Sequence, residues 1–348
     1  MQKKRAKRNS GKNLKITQTL IFKDTFRTVG IMKLDFEKPI TKIEEKIEEL
    51  KKMSEESGMD LSKEIEVFEQ QSHEYKKELY ENLKPVQKLQ IARHPNRPNF
   101  LDYINLMTTD FVEMHGDREG TDDRAIIGGV AKIGDKPVMI VGTVKGKSTK
   151  ENLEYNFGMP QPEGYRKALR LFEHANRFGL PIVTLIDTPG AYPGIKAEEH
   201  GQGIAIAVNL KEMAKLDVPV IAVITGEGCS GGALGLAVAN KVLVLEHAYY
   251  TVISPEGCAS ILWRDAAKAS DAADALKITG PDLLKFNIID GVVKEPLGGA
   301  HYDYEAMGEE LKKEILNALD EYKNMSAQQL KDDRYNKFRR MGVFGTAQ

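Results

Sequence analysis

Three segments of the chain repeat one pattern, in which a proline precedes a short apolar run that leads into glycine. They are residues 137–142, 181–190 and 219–228. Proline has no backbone N–H group and suits the first residue of a strand, while the apolar runs have the length of buried strands. Because glycine adopts unusual dihedrals and lets a ligand come close to the backbone, we expect glycine-rich turns after these strands, with N–H groups that serve a site.

Composition limits the class of protein. The length of 348 residues allows one large α/β domain and a smaller appendage. Charged residues make up 29% and hydrophobic residues 41%, as in ordinary globular proteins. The net charge of -1 hides an asymmetry, because residues 1–31 hold nine Lys or Arg against one Asp, which leaves -9 for the rest. A folded domain with that net negative charge is not expected to bind nucleic acid.

Cysteine usage and hydropathy favour a cytosolic protein. Cys229 and Cys258 form no C-x-x-C pair, so neither a disulfide framework nor a zinc site is expected on this chain. No apolar run approaches the ~20 residues of a membrane span, and residues 1–31 lack the apolar core of a secretory signal. We interpret residues 1–31 as a disordered extension, with Met32 opening the folded protein. The alternative is an organellar transit peptide, which would direct the chain to a plastid stroma.

Apolar periodicity divides the remaining chain into two parts. In residues 40–84, apolar residues recur at spacings of three and four, which predicts two amphipathic helices, broken near Gly58 and stopped by Pro85. From residue 99 onward strands alternate with helices, which implies a largely parallel sheet that binds ligands at the carboxyl ends of its strands. The predicted organisation is an extension over 1–31, a helical hairpin over 32–98, an α/β domain over 99–341 and a tail over 342–348.

Three helices are predicted between the strands. One covers residues 163–178 and ends at Gly179, with Ala168, Leu169, Phe172 and Ala175 on one face. A second follows His200, and a third covers residues 231–239. Beyond residue 256 the chain is predicted to be mostly helical, including residues 265–276 and 304–322.

Two side-chain chemistries compete for the glycine-rich segments. Residues 142–148 approximate the phosphate loop of a nucleotide hydrolase, but Val141 stands where that loop needs its first glycine. Residues 228–232 satisfy G-x-S-x-G, the pattern of a serine hydrolase with Ser230 as nucleophile, and Asp290 and His301 follow in the order of that class. A strand-to-helix turn also contains serine for helix capping, so the pattern alone does not decide.

A third chemistry needs no side-chain nucleophile. A helix that opens at residues 230–233 directs free N–H groups out of the turn, where an oxyanion is stabilised. The adjacent Gly231 and Gly232 let a substrate carbonyl approach closely, although the same pair also suits tight helix packing.

Five long motifs stand in the chain in a fixed order. They are NFGMP at 156–160, PEGYRKALR at 162–170, IDTPGAYPG at 186–194, SGGAL at 230–234 and SPEGCASILW at 254–263. From about Leu34 to Met341 the chain thereby resembles the family of carboxyltransferase alpha subunits of multisubunit acetyl-CoA carboxylase. The resemblance implies a crotonase-like α/β spiral of strand-helix repeats with an N-terminal helical hairpin, in which residues 99–341 form the carboxyltransferase domain.

The resemblance also implies an activity and a site. The activity is transfer of a carboxyl group from carboxybiotin, carried on a biotin carrier protein, to acetyl-CoA, giving malonyl-CoA for fatty acid biosynthesis. Gly231 and Gly232 are assigned to an oxyanion hole that faces the biotin carbonyl. The carboxybiotin pocket around it is assigned to Gly190, Ala191, Ser254, Pro255, Glu256 and Gly257. Asp187 is expected to be a strand-end hydrogen-bonding residue.

Partners follow from the same resemblance. A separate beta subunit is expected, two copies with two of this chain, which completes the active site and carries zinc, together with a biotin carboxylase. No cofactor or metal is therefore expected on this chain, which is expected in the cytoplasm. Related carboxyltransferases accept propionyl or larger acyl groups, so acetyl-CoA is the implied substrate only. The alternatives are the serine hydrolase with Ser230 and a non-catalytic assembly subunit.

Two positions depart from the family pattern. Cys229 stands where a glycine is common, so the turn must accept a Cβ there and is strained if its φ is positive. Residues 201–204 differ from the family after Gln202, within a predicted helix.

Overall fold

The structure, a computed structural model, describes residues 32–342. The predicted extension over 1–31 and the predicted tail beyond Gly342 lie outside the described residues. The α-helices are α1 (Lys38–Ser57), α2 (Ser62–Glu81), α3 (Pro85–Ala92), α4 (Phe100–Met107), α5 (Thr149–Glu154), α6 (Pro162–Phe178), α7 (Ile195–Glu199), α8 (Gln202–Met213), α9 (Ser230–Leu234), α10 (Pro255–Trp263), α11 (Ala269–Leu276), α12 (Gly280–Lys285), α13 (Tyr304–Tyr322) and α14 (Ala327–Arg339). The strands are β1 (Thr108–Glu113), β2 (Ile126–Ile133), β3 (Lys136–Thr143), β4 (Ile182–Thr188), β5 (Val220–Cys229), β6 (Lys241–Leu245), β7 (Tyr249–Thr251) and β8 (Gly291–Val293).

The described strands form one mixed sheet in the order β1-β2-β3-β4-β5-β6-β8, and β7 pairs with the end of β5. Pairs from β3 to β8 are parallel, as predicted. Pairs from β1 to β3 are antiparallel, which the sequence reading did not foresee. β2 and β3 are joined by the two-residue turn Gly134-Asp135, with a φ of +62° at Gly134. Such a turn returns the chain at once, so no crossover helix separates these strands.

The predicted strands form the core of the sheet. β4 and β5 are buried along their whole length, as expected for parallel strands covered on both faces. α6 packs on β2 and β3, and α4 packs on β4. The predicted apolar face of α6 is confirmed at Ala168, Phe172 and Ala175, and the helix ends at Gly179 with a φ of +66°. Leu169, predicted for the same face, is half-buried.

The N-terminal helices follow the predicted pattern. α1 and α2 pack against each other and separate at Gly58, whose φ of +70° ends α1. Pro85 was predicted to stop the second helix, and it is also the first residue of α3. The buried Glu37 accepts hydrogen bonds from the hydroxyls of Tyr80 at 2.7 Å and Tyr302 at 2.9 Å, which ties α2 to the chain after β8. None of the helices in residues 32–342 is long and apolar enough to cross a bilayer.

Two sequence predictions about the end of β5 were wrong. Residues 226–228 form no turn but continue the strand to Cys229. A Cβ on Gly226 would lie 2.5 Å from Oδ1 of Asp187, so this glycine provides room for a neighbouring carboxylate inside the sheet. The helix predicted over 231–239 ends at Leu234, because the chain must turn there to enter β6. Leu236 N bonds to Ala233 O and Ala237 N to Leu234 O, both in the pattern of tight turns.

Gly142 also has a different role from the predicted one. It lies within β3, and a Cβ there would lie 2.2 Å from the ring of Phe100. The glycine is therefore needed for close packing of α4 on the sheet rather than for a turn.

Candidate active site

The glycine segments after β4 and β5 lie against each other. Gly190 has a φ of +135°, which favours glycine, and Thr188 Oγ1 accepts a hydrogen bond from its N–H group at 3.1 Å. A Cβ on Gly232 would lie 2.4 Å from the backbone N of Ala191 and 2.6 Å from the carbonyl carbon of Gly190. The two segments are thus in direct backbone contact, which brings together four residues predicted for the site: Gly190, Ala191, Gly231 and Gly232.

The start of α9 supplies the donors at this contact. The N–H groups in the first turn of a helix have no partner within the helix. Gly231 is half-buried, and a Cβ there would meet only Ile206, at 3.6 Å. α9 has only five residues. The individual N–H groups at its start, rather than a long helix dipole, are therefore what this helix offers to a ligand. The Tyr165 hydroxyl donates to Gly232 O at 3.1 Å and fixes this turn from below.

Cys229 does not strain the turn. Its φ of -114° and ψ of 133° are those of an extended strand, which any residue adopts. The left-handed position is the next residue, Ser230, with a φ of +62°. Burial raises the pKa of the Cys229 thiol to about 11, with the negative charge of Glu227 adding to the effect. The departure from the family pattern at this position is therefore compatible with the backbone.

The second departure, at residues 201–204, surrounds a well-bound side chain. Gly201 precedes α8 with a φ of +81°, and Gln202 is buried. Its Nε2 donates to Pro160 O and Tyr192 O, both at 2.9 Å. Ile204 is exposed, so the altered residue there disturbs no packing.

Residues 254–257 belong to a neighbouring structure. Ser254 Oγ accepts a hydrogen bond from Gly257 N at 3.1 Å and caps α10, and Pro255 is the buried first residue of the helix. Glu256 pairs with Arg93 at 2.6 Å. Within residues 32–342, no hydrogen bond joins 254–257 directly to 190–191 or 231–232. Their place in the pocket wall stays a prediction.

An ionic cluster that the sequence reading missed lies beneath the glycine segments. Lys145, two residues after the end of β3, places Nζ 2.7 Å from Oδ1 of Asp187 and 2.8 Å from Oε1 of Glu227. Arg93 Nε binds the other oxygen of Glu227 at 3.1 Å, and Tyr249 also donates its hydroxyl to Glu227. Asp187 accepts a further hydrogen bond, as predicted, from Glu227 N at 2.8 Å. One chain of charges therefore joins β3, β4, β5 and α10.

Electrostatics keep this cluster ionised. Burial opposes the charge on Glu227, but the charges of Lys145 and Arg93 outweigh it and hold the pKa of the carboxyl at about 2. Burial likewise opposes the charge on Lys145, yet the carboxylates of Asp187 and Glu227 raise the pKa of its ammonium above the ordinary value. The sequence analysis considered Lys145 only as part of a phosphate loop. Its place shortly after a predicted strand is the one sequence signal that could have pointed to its pairing with Asp187 and Glu227.

A cavity of about 260 Å³ opens beside the cluster. Its lining comes from the segment between α3 and α4, from the ends of β3, β4 and β5, and from α5 and the segment after it. It includes Arg93, Lys145, Phe157, Pro189 and Glu227. The cavity lies next to Asp187 and Pro189, in the segment that leads into Gly190.

The hydrolase alternatives find no support in these contacts. Ser230 is exposed, but His301 stacks on His94 with ring centroids 4.0 Å apart, and Asp290 pairs with Lys337. Within residues 32–342, no hydrogen bond links Ser230, Asp290 and His301 into a triad. The phosphate-loop reading is wrong, because Gly142 lies inside β3 and Lys145 is held by two carboxylates. No group of three His, Cys, Asp or Glu side chains in the described part of the chain could hold a metal ion.

Solved structures define the class of fold. The chain is similar to the 12S transcarboxylase, whose structure holds methylmalonyl-coenzyme A, with a TM-score of 0.53 and 20% identity over 65% of this chain and 42% of that chain. It is also similar to the Pseudomonas malonate decarboxylase heterodimer, with a TM-score of 0.52 and 14% identity over 64% of this chain and 90% of that chain. The chain thus spans about two fifths of the transcarboxylase chain. These likenesses concern the fold alone, and they confirm the predicted crotonase-like α/β fold.

Sequence comparisons define the family. The family described as acetyl co-enzyme A carboxylase carboxyltransferase-like matches residues 33–342. The acetyl-coenzyme A carboxylase carboxyl transferase subunit alpha of Prochlorococcus marinus (strain NATL1A) is 53% identical over 311 residues, which are 89% of this chain and 94% of that protein. The subunit of the same name from Synechocystis is also 53% identical, over 89% and 95%. The chain belongs to this family, and the predicted resemblance is confirmed.

Proposed function

We propose that this chain is the alpha subunit of an acetyl-CoA carboxylase carboxyltransferase, which transfers a carboxyl group from carboxybiotin to acetyl-CoA and yields malonyl-CoA. Membership of the family and the carboxyltransferase fold support the reaction class. The observation that carries the proposal is the backbone contact between Gly232 and the segment Gly190-Ala191, which brings the glycine segments after β4 and β5 together at one place.

The glycine segments fit the proposed substrate through their lack of side chains. In this proposal the N–H groups of Gly231 and Gly232 donate to the biotin carbonyl oxygen while negative charge develops there, and each such donor contributes ~3 kcal/mol to a transition state. A Cβ at Gly232 would collide with Ala191 N, so only glycine permits the close contact between the two segments. Carboxybiotin, when bound, supplies the carboxyl group and afterwards a base. No histidine or carboxylate dyad on this chain is needed.

The rest of the pocket is proposed from the same site. Gly190 and Ala191 shape its floor, because they contact Gly232 directly. Ser254, Pro255, Glu256 and Gly257 are proposed as its wall, and Arg93 provides their link to the ionic cluster through Glu256.

The proposed partners extend beyond this chain. The relatives are named as alpha subunits, and the malonate decarboxylase structure is a heterodimer. We propose a complex of two of these chains with two beta subunits that bear zinc and the hole for the acetyl-CoA thioester, served by a biotin carrier protein and a biotin carboxylase. The proposed compartment is the cytoplasm, consistent with two cysteines that remain free thiols.

Reconstitution tests the function. Malonyl-CoA formation is measured with this chain, a cognate beta subunit, acetyl-CoA and the carboxylated carrier, and each component is omitted in turn. We expect activity in the complete mixture alone. A verified, folded complex that makes no malonyl-CoA contradicts acetyl-CoA as the substrate, and propionyl-CoA in its place then tests the acyl preference.

Two further measurements address the alternatives. If the chain were a non-catalytic assembly subunit, replacing Gly231 or Gly232 would leave an intact complex with full activity. If it were a serine hydrolase, a fluorophosphonate probe would label Ser230, and S230A would abolish labelling. We expect loss of activity in the first experiment and no labelling in the second.

A further inference from the structure

Lys145 lies between two strands that lead into the glycine segments. Its Nζ bonds to carboxylates at the ends of β4 and β5, and these three side chains are 19%, 9% and 8% exposed for Lys145, Asp187 and Glu227. Asp187 precedes Gly190 by three positions, and Glu227 precedes Gly231 by four. The ammonium group of Lys145 therefore connects the two strand ends that precede the glycine segments.

The backbone ladder is interrupted at this level of the sheet. β4 and β5 pair in register from Ile182 to Ile186, but the register shifts before Thr188 pairs with Gly228. At the shift, the Asp187 carboxylate accepts the hydrogen bond from Glu227 N at 2.8 Å, in place of a backbone carbonyl. Gly226 is required beside it, since a Cβ there would lie within 3 Å of the carboxylate. Side chains thus set the relative position of the two strand ends.

We infer that Lys145, Asp187 and Glu227 are positioning residues that hold the two glycine segments in the geometry needed for carboxyl transfer. This inference rests on the proposed function. None of the three has to touch the substrate, because each acts through the backbone that follows it. A shift of about 1 Å in such donors costs up to about a hundredfold in rate.

The charge balance makes this role measurable. Without the ammonium, Asp187 and Glu227 become two buried carboxylates with little separation, and like charges raise one pKa strongly. The other titratable groups that face Glu227 are Arg93, Glu256, Cys229 and the Tyr249 hydroxyl. Those that face Asp187 are Arg97 and the Tyr103 hydroxyl. In K145M, the uptake of one proton by the two carboxylates removes their repulsion. The loss of activity in this variant is therefore largest at high pH and lessens as the pH falls.

The experiment compares the reconstituted complex of the wild type with those of K145M and K145M/E227Q between about pH 6 and 8.5. At pH 8 we expect kcat of K145M to fall at least about tenfold, with the KM for acetyl-CoA within about twofold, and the deficit relative to wild type to shrink toward pH 6. K145M/E227Q has no like-charge pair, so it should lose about five- to tenfold in kcat without the added pH dependence.

K167M is the matched control. Lys167 is another buried lysine, in α6, which pairs with Asp122 and donates to Asp123 O at 2.7 Å, and neither contact involves a residue of the glycine segments. We expect its variant to lose stability while kcat stays within about twofold at every pH.

The outcomes separate the two claims. A wild-type complex without malonyl-CoA synthesis removes the proposed function and this inference with it. An active wild type with a folded, assembled K145M of unchanged kcat and pH profile overturns the positioning role alone. If K145M does not fold, K145M/E227Q decides, because wild-type kcat in that variant contradicts the inference equally well.

Discussion

At the residue scale, the candidate site depends on positions where a side chain is absent. Gly232 contacts the backbone of Gly190 and Ala191, and Gly226 provides space for the Asp187 carboxylate. Gly203, by contrast, has no atom within 4 Å of an added Cβ and lies in α8. Whether a position requires glycine therefore depends on the atoms that face it rather than on its presence in a glycine-rich motif.

Replacing Gly232 by alanine tests this distinction. G232A must move the Ala191 segment, so we expect kcat of the reconstituted complex to fall at least about a hundredfold and the free energy of unfolding to fall by about 1–3 kcal/mol. The control G203A should stabilise α8 by ~0.5–1 kcal/mol and leave kcat unchanged. Steady-state kinetics and urea unfolding measure both, and wild-type rates in G232A would contradict the proposed oxyanion hole.

The Cys229 thiol gives a second prediction. Its pKa of about 11 lies above the ordinary value of 9.0, because burial disfavours the thiolate. At pH 8 we therefore expect alkylation of the folded C258S variant by iodoacetamide to be about a hundredfold slower than in urea. Labelling followed by mass spectrometry checks this, and equal rates in the two states would show that the thiol is accessible and ionised.

At the scale of elements, the segment between α3 and α4 connects β5 to the residues after β8. Arg97 donates to Thr225 O at 2.7 Å and to both oxygens of Glu295, at 3.0 and 2.6 Å. Both side chains are almost fully buried, at 2% and 0% exposed. Glu295 also accepts hydrogen bonds from the N–H groups of His247 and Ala300. The Arg97–Glu295 pair therefore links β5 at Thr225 to the segments around His247 and Ala300.

Breaking the pair on one side should destabilise the fold strongly. R97M leaves the Glu295 charge buried without its partner, and we expect the free energy of unfolding at pH 7 to fall by about 3–5 kcal/mol. R97M/E295Q should recover part of that loss, because glutamine carries no charge and its carbonyl oxygen still accepts from one of the two N–H groups, which bind different oxygens of Glu295. Urea unfolding of wild type and both variants measures the difference, and equal losses in both variants would contradict this account.

The same pair predicts a pH dependence. Burial opposes ionisation of Glu295, but Arg97 holds the pKa of its carboxyl at about 2, below the ordinary 4.5. A lowered folded-state pKa contributes stability that is present above pH 4.5 and is lost as the pH falls toward 2. E295Q should therefore show a shallower loss of unfolding free energy on acidification than wild type.

At the scale of the whole molecule, the family match and the described fold begin together. The family covers residues 33–342, and Glu37 already makes buried hydrogen bonds to Tyr80 and Tyr302. A chain that starts at Met32 should thus keep kcat within about twofold when combined with the beta subunit. A chain that starts at Lys38 lacks Glu37 and leaves the buried Tyr80 hydroxyl without its acceptor, which costs about 1–3 kcal/mol. The half-buried Tyr302 hydroxyl loses the same acceptor. Thermal unfolding and kinetics of the two truncations distinguish these outcomes, and a large kcat loss in the first would give residues 1–31 a role.

The sequence by itself determined the class of fold, the parallel strands, the helix before Gly179 and the family, because apolar periodicity and long ordered motifs are local properties. It also placed Gly190, Ala191, Gly231 and Gly232 on two strand ends, and adjacent parallel strands bring such ends together. The tertiary structure alone decided the length of β5, the brevity of α9 and the left-handed Ser230. It alone assembled the cluster around Lys145, whose partners lie 42 and 82 positions away. Such pairings leave no periodic signal, since a buried lysine is stabilised only by carboxylates that the folded sheet delivers to it.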